Sequence, residues 1–321
     1  MHGHAILGTI GRKRLCFALS DEAGLLRPDT IRGYGVDTAT GVSAALMSFQ
    51  RDVGLSSLPR RAAIAVAGLA RGDAISITNT RWFLSRSGLH AMMGEAPLIL
   101  NDFAAEAWGM CSGSARIQES FGANAAPNLQ TPGCYLILGI TSGLGVAVLH
   151  RSDAGAATVL PTEAGHSAFA AVSDELAQLV SDLGPGRHPV AVEEIVSAPG
   201  LLSIYNLLAT RQGFEARAKT PEDVTRTFQS DPVARAACEM LSKAFWAQAG
   251  NLVMAFGAWD GVVVTGKLAT AIRPILCQSK AQALFAVSAK HKRVLQSVPR
   301  ALVTLDHAEL VGVAEALREA A

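Results

Sequence analysis

The sequence predicts an α/β protein of two domains, and three observations carry that expectation. Short apolar strands alternate with amphipathic helices along the chain, the pattern of sheets covered by helices. A unit of strand, glycine turn and returning strand occurs twice, over 6–19 and again over 137–148. The 321 residues are long for one core and comfortable for two. The repeat suggests two related half-domains, each offering a loop to a shared cleft. A chance likeness between two hairpins is the alternative.

Residues 5–19 read as two apolar strands joined near Gly11. Val42, Ala45, Leu46, Phe49 and Val53 make a helical stripe over 40–53, and Gly54 follows as a stop. The run 62–69 is a continuous apolar strand, and 74–78 alternates as a half-buried one after the turn Arg71-Gly72-Asp73. Pro97-Leu98-Ile99-Leu100 is a short buried strand that delivers Asn101 and Asp102 at its carboxyl end, where a helix over 103–110 begins. Open α/β folds place ligands outside the carboxyl ends of such strands. After a loop over 122–133, rich in Ala, Asn and Pro, come the second strand pair, 134–139 and 144–150. Ser173 caps an amphipathic helix with an acidic first turn, stopped by Gly184-Pro185. Asp231-Pro232 opens a long, mostly apolar helix through Phe256, expected at the centre of the larger domain. A buried strand over 261–266 and a closing helix over 307–320 complete the chain.

Composition narrows the function classes. Half of the residues are hydrophobic (50%) and 17% are charged, the profile of a packed globular chain. The formal charge of +1 gives no electrostatic footprint for nucleic acid. The stretch 244–259 is interrupted by Gln248, Gly250 and Asn251 and falls short of the ~20 apolar residues a membrane span needs. No secretory signal is read at the start, and the five scattered cysteines, with no CxxC pair, suit free thiols in a reducing compartment. A cytoplasmic location is the expectation.

Four groups of residues could carry chemistry. Asp102 at a strand's carboxyl end could act as a base toward a hydroxyl, or could simply cap the helix that follows. Glu163 and His166, separated by two small residues, suit a grip on adjacent hydroxyls; a zinc site would want more ligands nearby. Of the pair Glu193 and Glu194, at least one reads as a solvated face. The turn Thr141-Ser142-Gly143-Leu144-Gly145 could aim backbone N–H groups and two hydroxyls at a phosphate, though it lacks the Lys-Ser/Thr of a Walker A loop.

Together these pieces resemble the bacterial glucokinase family, over nearly the whole chain. The segments 77–82, 100–105, 160–166 and 192–201 are similar, in order, to that family's sugar-side loop, its Asn-Asp-Phe segment, its Leu-Pro-Gly-Glu-Gly-Gly-His segment and its Glu-Arg-Val-Leu-Ser-Gly-Pro-Gly-Leu segment. Gly250-Asn251-Leu252 and the strand 261–266 resemble the helix and strand leading to its adenosine site. The cysteine-rich zinc motif of the related repressor and kinase branch is absent, which favours the glucokinase branch.

The resemblance implies a ribonuclease-H-like, actin-like two-domain sugar kinase fold with a central cleft. The expected division is a small α/β domain over 1–105 plus 303–321 and a large α+β domain over 106–302. It implies an ATP-dependent glucokinase working with magnesium, commonly a homodimer. Asp102 would be the general base toward the sugar 6-hydroxyl, and Asn79, Asn101, Asp102 itself, Glu163, His166 and Glu193 would bind the sugar. Gly8, Gly11, Thr141, Ser142, Gly143, Gly145 and Gly266 would hold the nucleotide. No residue is assigned to a metal.

Departures from the family pattern fall on the nucleotide side. Where the family reads Gly-Asp-Val-Gly-Gly-Thr-Asn-Ala-Arg, this chain has Gly8-Thr9-Ile10-Gly11-Arg12-Lys13-Arg14-Leu15-Cys16. Thr9 stands for a carboxylate that helps organise magnesium, Arg12 for a glycine, and Lys267 for the second glycine after Gly266. A sugar-binding regulatory protein that has lost phosphoryl transfer is therefore the alternative reading.

Overall fold

The computed structural model describes residues 4–36, 40–78, 80, 82–122, 125–184, 186 and 189–320. The chain divides into two compact units, Met1–Ala115 with Leu305–Ala321, and Arg116–Thr304.

The first unit is built on a five-stranded sheet. Its strands are β1 (Ile6–Ile10), β2 (Arg14–Ser20), β3 (Leu26–Gly35), β4 (Ala62–Val66), β5 (Ala74–Ser76), β6 (Phe83–Ser85) and β7 (Leu98–Asn101). The sheet runs in the order β3-β2-β1-β4-β7, while β5 and β6 form a separate small ribbon. The first three strands are antiparallel; β1, β4 and β7 are parallel. Side chains alternate between the two faces of a strand, and β1 uses both. Ile6 and Ile10 join Phe17, Ile64 and Val66 in a core with Leu46 and Phe49 of helix α1 (Val42–Asp52). Leu7 points the other way, with Ala18, Ala63, Ala65 and Ala105, onto Leu310 and Val313 of the C-terminal helix Ala308–Glu319. Helix α2 (Arg86–Met93) is capped by the Ser85 hydroxyl, which accepts from the Gly88 N–H at 3.0 Å.

The second unit carries six strands, β8 (Arg116–Phe121), β9 (Gly133–Ile140), β10 (Leu144–Arg151), β11 (Ala157–Thr162), β12 (Gly261–Thr265) and β13 (Arg300–Thr304). They run in the order β11-β10-β9-β12-β13-β8. Again three antiparallel strands are followed by two parallel ones, with β8 added antiparallel at the far edge. The two sheets therefore share order and direction, which favours related half-domains over a chance pair of hairpins.

Helix α3 (Asp102–Met110) belongs to the first unit, and the second carries α4 (Asp174–Leu183), α5 (Val192–Ile195), α6 (Ala198–Arg211) and α7 (Pro221–Thr227). The centre of the second core is α8 (Pro232–Phe256). Asp231 caps it, its Oδ1 accepting from the N–H groups of Val233 (2.8 Å) and Ala234 (3.3 Å), with Pro232 in the first turn and Gly257 left-handed at the end. Its Trp246 is fully buried, edge-on to Phe121 and Phe245 at 4.9 and 5.0 Å, and donates Nε1–H to the Leu276 carbonyl at 3.1 Å. Burying an aromatic of this size contributes ~1.5–3 kcal/mol, so a handful of such groups decides whether the unit folds. Among the described residues no helix is long and apolar enough to cross a membrane.

Candidate active site

In the first unit, β7 ends at Asn101 and α3 begins at Asp102. Asn101, and not Asp102, is the helix cap: its Oδ1 accepts from the N–H groups of Phe103 (2.9 Å) and Ala104 (3.1 Å). Its Nδ2 donates to the Gly68 carbonyl at 3.2 Å, which ties the carboxyl end of β7 to the loop after β4. With the cap supplied, Asp102 is the first helical residue, half-buried, with Oδ1 accepting from its neighbour Phe103 N–H at 2.8 Å. A carboxylate in the first turn is favoured by the helix dipole. Sequence reasoning did not single out Glu309, which approaches from the C-terminal helix. Burial, then the negative charges of Asp102 and Glu106, push its carboxyl up to about 7. Nothing in an acidic position on a closing helix signals that neighbourhood.

The turn between β1 and β2 is a tight hairpin. Gly8 lies inside β1, where an added Cβ would meet the Phe17 ring at 3.0 Å. Gly11 opens the turn and donates its N–H to the Arg14 carbonyl at 3.0 Å. Thr9 is buried at 9% exposure and faces Cys16 across the β1–β2 pair, on the side of Leu7. Burial raises the Cys16 thiol, with Arg14 and a hydrogen bond from Thr9 opposing the shift. Arg12 and Lys13 are exposed at the tip. Asn79 lies outside the described residues.

In the second unit three polar side chains converge. β11 ends at Thr162, whose hydroxyl donates to the Val146 carbonyl at 2.8 Å, and a single 3-10 turn, Ala164–His166, follows. That turn is closed by the His166 N–H on the Glu163 carbonyl at 3.0 Å, and it is joined to α5 by the Val192 N–H on the Ser167 carbonyl at 2.9 Å. The result sets His166 between two carboxylates, Nδ1 3.3 Å from Glu193 Oε1 and Nε2 3.7 Å from Glu163 Oε2. His166 and Glu163 are 62% and 57% exposed and Glu193 31%, so a polar ligand can reach all three. The adjacent glutamates divide their work. Glu194 Oε1 accepts from the Ala191 N–H at 3.0 Å and closes the start of α5, whereas Glu193 faces His166.

The same group touches the glycine turn between β9 and β10. Glu193 Oε2 lies 3.5 Å from the Leu144 amide nitrogen, and a Cβ on Gly143 would sit 2.7 Å from that oxygen. The turn itself is held by the Thr141 N–H on the Gly143 carbonyl (2.9 Å) and by the Ala198 N–H, at the start of α6, on the Thr141 carbonyl (2.8 Å). Thr141 and Ser142 are exposed, and Gly145 pairs with Gly139 inside the hairpin. Gly266, following the carboxyl end of β12, has φ +103° and packs so closely on Ile140 that a Cβ would collide with its carbonyl oxygen. Only glycine fits there. Lys267 is exposed beside it. Thr141, Ser142, Gly143, Glu163, His166 and Glu193 thus belong to one patch of the second unit. Among the described residues no group of three or more His, Cys, Asp and Glu could hold a metal ion.

Two sheets of this shared order, the second carrying a glycine turn beside Glu163, His166 and Glu193, define the ribonuclease-H-like, actin-like fold of the sugar kinases. The chain belongs to the glucokinase family, whose model, described as Glucokinase, matches residues 6–320. A glucokinase of Stenotrophomonas maltophilia is 32% identical over 315 residues, covering 96% of this chain and 93% of the relative. A crystal structure of glucokinase from an Antarctic psychrotroph matches at a TM-score of 0.82 and 25% identity, over 98% of both chains. The glucokinase of Balamuthia mandrillaris, solved in complex with glucose, matches at a TM-score of 0.78 and 20% identity, over 98% of this chain and 93% of the other. The family makes this chain a hexose kinase.

Proposed function

We propose that the protein is an ATP-dependent glucokinase that converts glucose to glucose 6-phosphate in the cytoplasm, as a homodimer feeding glycolysis. The observation that carries this reading is the single patch of the second unit, where the Glu193 carboxylate faces His166 and also lies against Gly143 and Leu144 of the glycine turn. A hydroxyl-binding group and a phosphate-binding turn held by one side chain suit a reaction between a sugar and a nucleotide. Family membership and the glucose complex of the Balamuthia relative support the choice of sugar.

In this reading Glu163, His166, Glu193, Asn101 and Asn79 hold the ring hydroxyls. A sugar with a mismatched hydroxyl leaves one of those groups unpaired, which is how such a set discriminates. Asp102 takes the proton of the 6-hydroxyl as that oxygen bonds to the γ-phosphorus of ATP. The bond from that phosphorus to the β–γ bridging oxygen breaks, and ADP leaves. Thr141, Ser142, Gly143 and Gly145 offer hydroxyl and N–H donors to the phosphates, with Gly8, Gly11 and Gly266 completing the nucleotide set that the family resemblance implies.

Magnesium would enter with the nucleotide as part of that substrate. Thr9 does not fit as its carboxylate organiser, being a buried hydroxyl set against the Cys16 thiol. That same observation favours a second reading, a sugar-binding regulatory protein with little or no turnover. Incubation with glucose, magnesium and ATP separates them. Glucose-dependent ADP release supports the kinase; tight glucose binding with no ADP above background selects the regulatory protein.

A further inference from the structure

The second unit holds a cavity that none of the proposed sugar or nucleotide groups lines. Its volume is about 550 Å³, and Arg300, Lys292, Gln282, Ser279, Ser120 and Glu119 stand in its wall. That is within the ~300–1,000 Å³ of small-molecule sites. Arg300 begins β13 and pairs with Val262 near the start of β12, whereas the turn Thr141-Ser142-Gly143 and Gly266 follow the carboxyl ends of β9 and β12. The cavity and the glycine turn therefore lie at opposite ends of this sheet.

Arg300 is the unusual member. It is only 6% exposed, and its Nε is buried with no hydrogen-bond partner. The guanidinium face is covered by Phe285 at 4.4 Å from its Cζ, with the Trp246 ring at 5.6 Å. Stacking on two rings satisfies the face and leaves the Nε–H unpaired. Among the described residues no carboxylate forms an ion pair with it. Burial alone lowers its basicity, the direction expected of a cation short of partners. In the lining, the exposed Lys292 offsets Glu119, so Arg300 sets the net charge of the cavity.

A buried guanidinium with one N–H unpaired is costly, and it is retained at little net cost where an anion completes its charge. The free edge of a guanidinium matches two oxygens of one phosphoryl or carboxyl group. We propose that this cavity is a binding site for a small phosphoryl oxyanion, held by Arg300 with Lys292 and the Ser279 hydroxyl from the same lining. The oxyanion is either free inorganic phosphate or the phosphoryl group of a sugar phosphate.

Calorimetric titration of the full chain with inorganic phosphate, and separately with glucose 6-phosphate, tests the site. Wild type binds at least one of them, and the one it binds identifies the source. Arg300→Met, which keeps the packing volume, and Lys292→Ala, at an exposed position, each weaken that binding roughly tenfold or more. If Arg300→Met fails to fold, Lys292→Ala decides alone. Absence of binding in wild type overturns the site. So does unchanged affinity in the folded variants, which would put the anion on the glycine turn.

Discussion

His166 Nδ1 lies 3.3 Å from Glu193 Oε1, and the other oxygen of that carboxylate lies 3.5 Å from the Leu144 amide nitrogen. One side chain thus spans from the histidine to the glycine turn. Glu193→Gln keeps the shape and removes the charge. Its expected effect is a loss of glucose affinity of roughly ten- to a hundredfold, the value of a hydrogen bond to a charged group. Calorimetry with glucose alone measures it.

Gly143→Ala probes the same contact from the other side. The added methyl would sit 2.7 Å from Glu193 Oε2, the far end of a side chain that can swing away. The expected result is weakened glucose binding with a thermal midpoint close to wild type, since the clash is relieved without moving backbone. Paired thermal melts and titrations read both quantities.

Gly312→Ala has no such escape. Helix 308–319 packs on α3 so closely that a Cβ at Gly312 would collide with the Ala105 carbonyl oxygen, and both partners are backbone. A loss of about 3 kcal/mol or more is expected, at the upper end for overpacked cores. Urea unfolding of the variant, or its failure to accumulate in soluble form, checks this.

Glu309 gives the first unit a pH dependence. Its carboxyl is raised to about 7 from an ordinary 4.5, so the folded state holds the proton that the unfolded state has already lost. Stability contributed by this group is therefore full below the ordinary carboxylate range and is lost as pH rises toward 7 and above. Glu309→Gln should raise the unfolding midpoint at pH 8 and leave it nearly unchanged at pH 4. Urea melts at the two pH values provide the comparison.

Much of the fold was legible because its central strands are apolar on both faces. Residues 62–66, 134–140 and 261–265 are buried throughout or nearly so, and they read directly as strands. β3, β8 and β11 gave no such signal. Each is an edge strand, with one neighbour and several exposed side chains, so charges (β3, β8) or a proline (β3, β11) interrupt its apolar run. The long helix α8 was announced by Asp231-Pro232, whose capping chemistry is local. The cap of α3 was assignable to the wrong neighbour, because Asn101 and Asp102 are both good caps and only the backbone angle decides. At the site, the residue types at Glu163, His166 and Glu193 were visible in the sequence. Their convergence came only from the family resemblance and not from the local pattern, because it depends on the 3-10 turn and on the docking of α5 against it. Arg300 and Glu309 were silent for the same reason, their character being set by what packs around them.

The role of Asp102 is tested most directly by comparing wild type with Asp102→Asn for glucose binding and for ADP release at saturating glucose and magnesium ATP. Removing a general base typically costs ~10²–10⁴ in turnover. The variant should bind glucose within a few-fold of wild type while its turnover falls by roughly that factor. Equal turnover in the two proteins, or none in wild type, would contradict a kinase that uses Asp102 as its base.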